Sequence, residues 1–350
     1  MTYRIVILGA SYGSLLGTKL LMAGQDVTLV CRQATADLIN AEGTDVRIKL
    51  RDEAEHRSFR SHDLPGTLNA LAPEDVNPAD YDMVALAMSE PQYCADTIVD
   101  LLGRIAAAGT PCLSIMNMPP LPYLRRIDAL DTSRLEAAYT CPKAWAGFRP
   151  GTVTLCSPDP QAYRVPDEGP NTLHVGLPTN FKAAPFEDEA HTRILRDLES
   201  AIDAVTVDGK DVPVKLRVFD SLFVPFAKWS MLLTGNYRCV LPEGARAIKE
   251  AVHGDPALSE RIYSTVDEVV RRLGADAADA VPFQKYANAA NGLLKPSSAA
   301  RAIEGGADRI ERVDMLVKLI AEQQGVETGA FADIVETVNA RLHANARSGA

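Results

Sequence analysis

The chain has 350 residues, 47% hydrophobic and 23% charged, which is enough for two domains with cores of their own. A net charge of −10 argues against broad binding to a nucleic-acid backbone, which calls for a basic face, but leaves room for a local basic pocket around an anionic ligand. No apolar run reaches the roughly 18 residues of a membrane span, and Met1 to Ile5 lead into a strand-like segment with no signal-peptide pattern, so a cytoplasmic protein without membrane contact is expected. The six cysteines (Cys31, Cys94, Cys112, Cys141, Cys156 and Cys239) are scattered, with no CxxC or Cys/His cluster, so reduced thiols and no metal are expected.

Arg4 to Ala10, Arg-Ile-Val-Ile-Leu-Gly-Ala, is a short β-branched run ending in glycine and predicts a strand. A helical pattern follows from Ser14 to Ala23, closed by Gly24, and Asp26 to Arg32 predicts a second strand. Strand, glycine turn, helix and strand within about thirty residues make one βαβ unit. Met83 to Met88 and Cys112 to Met116 are continuous apolar runs that suit a parallel sheet covered on both faces, with helical character between them from Pro91 to Ile105. Leu135 to Thr179 is rich in Gly, Pro, Thr and short alternating runs, and predicts antiparallel strands appended to that sheet. Helix returns from about Glu187 to Ala204. Beyond Val214 the pattern is almost wholly helical: Asp220 to Tyr237, Pro256 to Leu273, Ala299 to Gln324 and Thr328 to Ala346. The expected architecture is α/β: a Rossmann-type dinucleotide-binding domain over 1–210 with appended antiparallel strands, then an all-helical domain over 211–350 for substrate and dimerisation.

The stretch from Gly9 to Gly17, Gly-Ala-Ser-Tyr-Gly-Ser-Leu-Leu-Gly, sits in the first strand-to-helix turn. Glycines there let the backbone approach a pyrophosphate, and the helix N-terminus offers unpaired N–H groups to it. Gly9, Ser11, Tyr12, Gly13 and Ser14 are therefore the expected phosphate-side residues. The pattern is not a strict GxGxxG, since Ser11 stands at the second glycine, and a tight connection without a ligand is the alternative. At the end of the second strand stands Arg32 instead of the acidic residue that accepts from the ribose hydroxyls of NAD. A guanidinium there suits the 2′-phosphate of NADPH; a solvated surface arginine is the plainer reading.

Several segments resemble the ketopantoate reductase (2-dehydropantoate 2-reductase) family. Ile5 to Arg32 resembles its opening βαβ unit, Tyr81 to Met88 the strand before its cofactor-side lysine, and Cys112 to Met118 its strand ending in an Asn-Gly turn. Trp229 to Asn236 resembles the start of its helical domain, and Lys295 to Glu311 its late substrate motif. The resemblance implies a Rossmann domain and a helical domain of the 6-phosphogluconate dehydrogenase C-terminal type, with an active site in the cleft between them. It also implies hydride transfer from NADPH to a small keto acid, giving a hydroxy acid. By the same resemblance Met88, Ser89 and Asn117 lie on the cofactor side, Asn117 also on the catalytic side, and Ser297 or Ser298 meets the substrate. The chain departs from the family where its cofactor-side lysine falls on Ser89, its catalytic lysine on Met231, its asparagine on Gly235 and its late glutamate near Arg309. A substrate other than ketopantoate is expected.

Carbonyl reduction needs a proton donor and a group that polarises the oxygen, and one lysine ammonium does both. Lys228, three residues before Met231, shares a helix face with it and is the expected replacement; a surface lysine snorkelling beside Trp229 is the alternative. Asn236 would orient the substrate, and Arg301 and Arg309 are candidate anchors for its carboxylate, against the plainer reading of a salt-bridged helix surface. Lys143 and Arg238 are further candidates without a motif. An opine-type dehydrogenase that reduces an imine, and a sensor that binds NADP(H) without turnover, remain open beside the reductase. The expected partner is a small carboxylate, not nucleic acid, and the helical domain offers a surface for a homodimer.

Overall fold

The computed structural model describes residues 1–349, which fall into two compact units. The first unit comprises Met1–Met88, Gln92–Arg126 and Lys143–Asp220. Its strands are β1 (Arg4–Leu8), β2 (Asp26–Val30), β3 (Asp45–Ile48), β4 (Arg57–Arg60), β5 (Leu68–Leu71), β6 (Met83–Leu86), β7 (Cys112–Ile115), β8 (Val153–Ser157), β9 (Gln161–Tyr163), β10 (Thr172–Leu177), β11 (Phe181–Ala183) and β12 (Leu216–Val218). Its main helices are α1 (Gly13–Met22), α2 (Gln33–Glu42), α3 (Asp96–Ala108) and α4 (Glu189–Asp203).

Eight strands form the main sheet in the order β12-β11-β8-β7-β6-β1-β2-β5. From β5 through β8 every neighbour pair is parallel. Ile5, Val6, Ile7 and Leu8 are completely buried, as a strand covered by helices on both faces must be. Chain order reverses direction at β1, with β2 on one side and β6 on the other, which puts the crevice of a doubly wound sheet at the C-terminal end of β1. Every residue of α1 is buried.

The strands expected to extend this sheet antiparallel divide differently. β8 pairs parallel with β7, and all five of its residues are buried, so it lies inside the main sheet. β9 and β10 leave for a second sheet, ordered β4-β3-β10-β9. β10 buries only Leu173 and Val175, as a strand with one covered face does. The main sheet reverses direction at β11, which pairs antiparallel with β8 and parallel with β12.

The second unit comprises Ser89–Pro91, Ile127–Pro142 and the residues from Ser221 onward. It is helical: α5 (Ala227–Met231), α6 (Ile248–His253), α7 (Pro256–Arg272), α8 (Phe283–Ala290), α9 (Ser298–Glu304), α10 (Val313–Gln323) and α11 (Ala332–Ser348). The helix expected over 220–237 is broken into a 3-10 turn at Val224–Phe226, then α5, a π turn at Leu232–Asn236 and a 3-10 turn at Tyr237–Cys239. The helix expected over 299–324 is two, separated after Gly305 and Gly306, the latter with φ +89°.

Candidate functional site

The first turn of the main sheet supplies the most specific geometry. Gly9 takes φ +104°, and a Cβ on it would lie 2.6 Å from Met88 Cγ and 2.9 Å from the Ala87 carbonyl oxygen. A Cβ on Gly13 would lie 2.6 Å from Ile7 Cγ2. Both glycines are therefore dictated by close approach of the turn to β1 and to the end of β6. Behind them the N-terminus of α1 has no side-chain cap, and the amides of Ala10, Ser11 and Tyr12 meet no acceptor among the described residues. Three successive N–H groups without acceptors at the start of a helix, at the reversal point of a parallel sheet, are donors that an anion can use.

The expected phosphate-side residues do not all contribute alike. Gly13 and Ser14 turn their amides inward, to the carbonyls of Gly9 (3.1 Å) and Ser11 (3.3 Å), and the Ser14 hydroxyl donates to Ser11 O at 2.8 Å. They shape the turn, and the open donors belong to Ala10, Ser11 and Tyr12. The Tyr12 hydroxyl itself donates to the Pro160 carbonyl at 2.7 Å, its ring meets Phe181 edge-on, and burial drives its pKa upward.

Arg32 follows β2 as the extended residue that precedes α2; it is exposed and makes no ion pair among the described residues. The turn joins β2 nearby, where the Gly9 amide donates to the Val30 carbonyl at 3.0 Å. Met88 is half-buried against Gly9, and its amide donates to the Tyr93 hydroxyl at 3.1 Å. Asn117 is half-buried just beyond β7.

In the helical unit, Lys228 and Met231 are both half-buried on α5, one turn apart. Trp229 between them is 1% exposed and stacks on Phe226 with ring centroids 4.0 Å apart. Gly235 lies in the π turn that follows, and a Cβ there would lie 2.0 Å from the Tyr286 hydroxyl oxygen. That hydroxyl donates to the Met231 carbonyl at 3.0 Å, a carbonyl at the entry to the π turn. Single π turns of this kind recur at functional sites. Asn236, half-buried, ends the turn, and its carbonyl accepts from the Ser297 hydroxyl at 2.7 Å.

Ser297, one of the two serines expected near the substrate, is engaged by these contacts. It is buried, it donates to Asn236 O, and as N-cap of α9 it accepts from the Ala300 amide at 3.1 Å. It holds Asn236 and caps a helix, while Ser298 is the exposed member of the pair. Arg301 is exposed on α9 with no ion pair among the described residues, and Arg309 lies beyond that helix, 3.9 Å from Asp308. Arg238 is buried, donating to Ser259 Oγ at 2.7 Å and Thr234 O at 3.4 Å, and so supports the helical core.

Glu90 has no sequence signal. It is 1% exposed and accepts from the Thr140 amide and hydroxyl and, at 3.5 Å, from the Cys141 amide. Burial raises its pKa while the Thr140 bonds oppose that rise. It fastens Ser89–Pro91 to the 127–142 segment within the helical unit.

No family model and no curated protein matches the chain. Solved structures do. A protein of Ralstonia solanacearum MolK2 assigned as a ketopantoate reductase is 18% identical, with TM-score 0.71 over 99% of each chain. The 2-dehydropantoate 2-reductase of Methylococcus capsulatus is 15% identical, with TM-score 0.66 over 99% of this chain and 97% of that one. D-mandelate dehydrogenase, solved with NADH and anilino(oxo)acetate, is 14% identical, with TM-score 0.63 over 98% of this chain and 99% of that one. The chain has the ketopantoate reductase fold, a Rossmann-type sheet with a C-terminal helical region.

Proposed function

We propose that the chain is an NADPH-dependent oxidoreductase of the ketopantoate reductase type, reducing a small keto acid other than ketopantoate to a hydroxy acid. One observation carries this most: the uncapped N-terminus of α1, with the amides of Ala10, Ser11 and Tyr12 open at the point where strand order reverses. These donors fit a dinucleotide pyrophosphate, and the exposed Arg32 fits the additional phosphate of NADPH. When bound, the dinucleotide supplies the hydride. In this proposal residues 1–210 hold the dinucleotide, with Met88, Ser89 and Asn117 on its nicotinamide side, and residues 211–350 hold the substrate.

Lys228 supplies the proton and polarises the carbonyl oxygen. The π turn supports Asn236 as the orienting amide. A π turn holds one residue more than an α turn, so Asn236 stands one position further along yet about one turn beyond Leu232. Ser298 and Arg301 are the exposed groups left to meet the carboxylate, with Arg309 beyond them.

Met231 and Ser89, where the family has lysines, favour one second reading: a sensor that binds NADP(H) without turnover. Mixing the purified protein with NADPH and following its fluorescence, then its 340 nm absorbance with a panel of keto acids, with and without amines, separates the readings. Binding with decay on a keto acid alone supports the reductase. Decay only with an amine assigns imine reduction. Binding with no decay supports the sensor, and no binding removes all three.

A further inference from the structure

We propose that Arg164, a residue with no motif around it, joins Arg32 in gripping a phosphate monoester on the adenosine ribose, so that two guanidinium groups, not one, read the 2′-phosphate of NADPH. The inference rests on the nicotinamide reading above and adds the residue that would set its selectivity.

The contact that brings Arg164 into place starts at the glycine turn. The Tyr12 hydroxyl donates to the Pro160 carbonyl at 2.7 Å, which ties the segment entering β9 to the phosphate turn. β9 runs only from Gln161 to Tyr163 and is itself held by β10, with Tyr163 opposite His174. Arg164 is the next residue. On the other side, the Gly9 amide donates to Val30 O, which ties the end of β2 to the same turn, while the Cys31 amide donates to Leu71 O at the end of β5; Arg32 follows directly. The two arginines therefore leave two segments that are both pinned to residues 9–12.

Their electrostatics agree with that placement. Arg164 feels the charge of Arg32 and the neighbouring Cys31 thiol, and loss of solvent first, then Arg32, pulls its pKa downward. Cys31 in turn feels both arginines. Both guanidinium groups are exposed, neither makes an ion pair among the described residues, and no carboxylate contributes to the charge felt by Arg164. Of the aspartates flanking Arg164 in sequence, Asp159 is ion-paired to Lys182 at 3.1 Å, and Asp167 makes no ion pair with Arg164 among the described residues. Two like charges held together without a counter-ion repel each other, and in a chain of net charge −10 such a pair is out of character with the rest of the surface. A dianionic phosphate relieves that repulsion and accepts paired N–H donors from both forks. A 2′-hydroxyl offers no comparable charge.

The experiment is calorimetric titration of the full chain, wild type and Arg164→Ala, with 2′,5′-ADP and with 5′-ADP, alongside NADPH and NADH. Loss of one charge-assisted contact predicts that Arg164→Ala weakens 2′,5′-ADP and NADPH on the order of ten- to a hundred-fold, and leaves 5′-ADP and NADH within about two-fold. Arg164→Lys, which keeps the charge without the fork, falls between. Equal weakening of all four ligands, or none, overturns the role of Arg164 while leaving nucleotide binding standing. Failure of the wild type to bind any of the four overturns the nicotinamide reading and this inference with it.

Discussion

The hydroxyl of Tyr286 stands where a side chain on residue 235 would be: a Cβ built on Gly235 lies 2.0 Å from that oxygen and 3.1 Å from Ile248 Cγ2. The same hydroxyl donates to the Met231 carbonyl, so the ring both excludes a side chain at 235 and stabilises the π turn. In open space, alanine in place of a helical glycine would stabilise by up to about 1 kcal/mol. Here the clash reverses the sign. Gly235→Ala is expected to destabilise by about 1–3 kcal/mol in urea unfolding. In a Tyr286→Phe background, which removes the clashing oxygen, the same substitution is expected to cost much less. Equal effects in the two backgrounds would show that Tyr286 does not set the turn.

Lys228 is the test of catalysis within the proposed function. Lys228→Ala is expected to lower kcat by about 100-fold or more, the usual worth of a positioned acid, while NADPH titration stays unchanged. Tryptophan fluorescence gives a control, because Trp229 stacks on Phe226 beside it and would report a collapsed turn. Turnover retained at the wild-type rate by a folded variant would remove Lys228 from the mechanism and leave the proton donor to be found elsewhere.

Arg32 tests the cofactor choice. The fold itself does not decide it, since D-mandelate dehydrogenase shares the architecture and was solved with NADH. Arg32→Ala is expected to raise KM for NADPH at least ten-fold while moving KM for NADH little, because the lost contact is to a group that NADH lacks. Parallel rises for both cofactors would make Arg32 a general nucleotide contact instead of the 2′-phosphate reader.

The opening βαβ unit was legible because its apolar runs are buried on both faces and its turn carries glycines that packing demands. Gly9 and Gly13 would each clash with β1 or the end of β6 if replaced. β3 and β4, Asp-Val-Arg-Ile and Arg-Ser-Phe-Arg, went unread because short strands with charged outer faces resemble loops in a single sequence. The partner of β8 was misread because a five-residue buried strand does not encode whether its neighbour runs parallel. The π turn kept a helical pattern throughout, and the Tyr286 hydroxyl that packs on it lies 55 residues from Met231. Arg164 was invisible for the same reason, since its placement depends on Tyr12 meeting Pro160 across 148 residues of chain.

Lys19 offers a test that needs no ligand. It sits within α1, fully buried, and its ammonium donates to the carbonyls of Val212 at 3.2 Å and Pro213 at 3.0 Å, just before Val214 at φ +66°. Burial, and then the nearby Lys215, pull its pKa down to about 7, with Asp211 opposing. A free lysine titrates near 10.4, so between about pH 7 and pH 10 the unfolded chain holds a proton that the folded chain has released. Stability from this group therefore rises with pH across that window and is flat below it, where both states are charged and the full burial penalty applies. Lys19→Met, close in length and without charge, is expected to flatten the rise by on the order of a few kcal/mol between pH 7 and 9.5, read as the difference in urea midpoints from wild type. At pH 6.5 the variant's gain from losing a buried charge is offset by two carbonyls left without a donor, so the slope with pH, not the value at one pH, identifies Lys19. A wild-type profile and a Lys19→Met profile that run parallel from pH 6.5 to 9.5 would mean that the ammonium keeps its proton throughout, held by the two carbonyls against its burial.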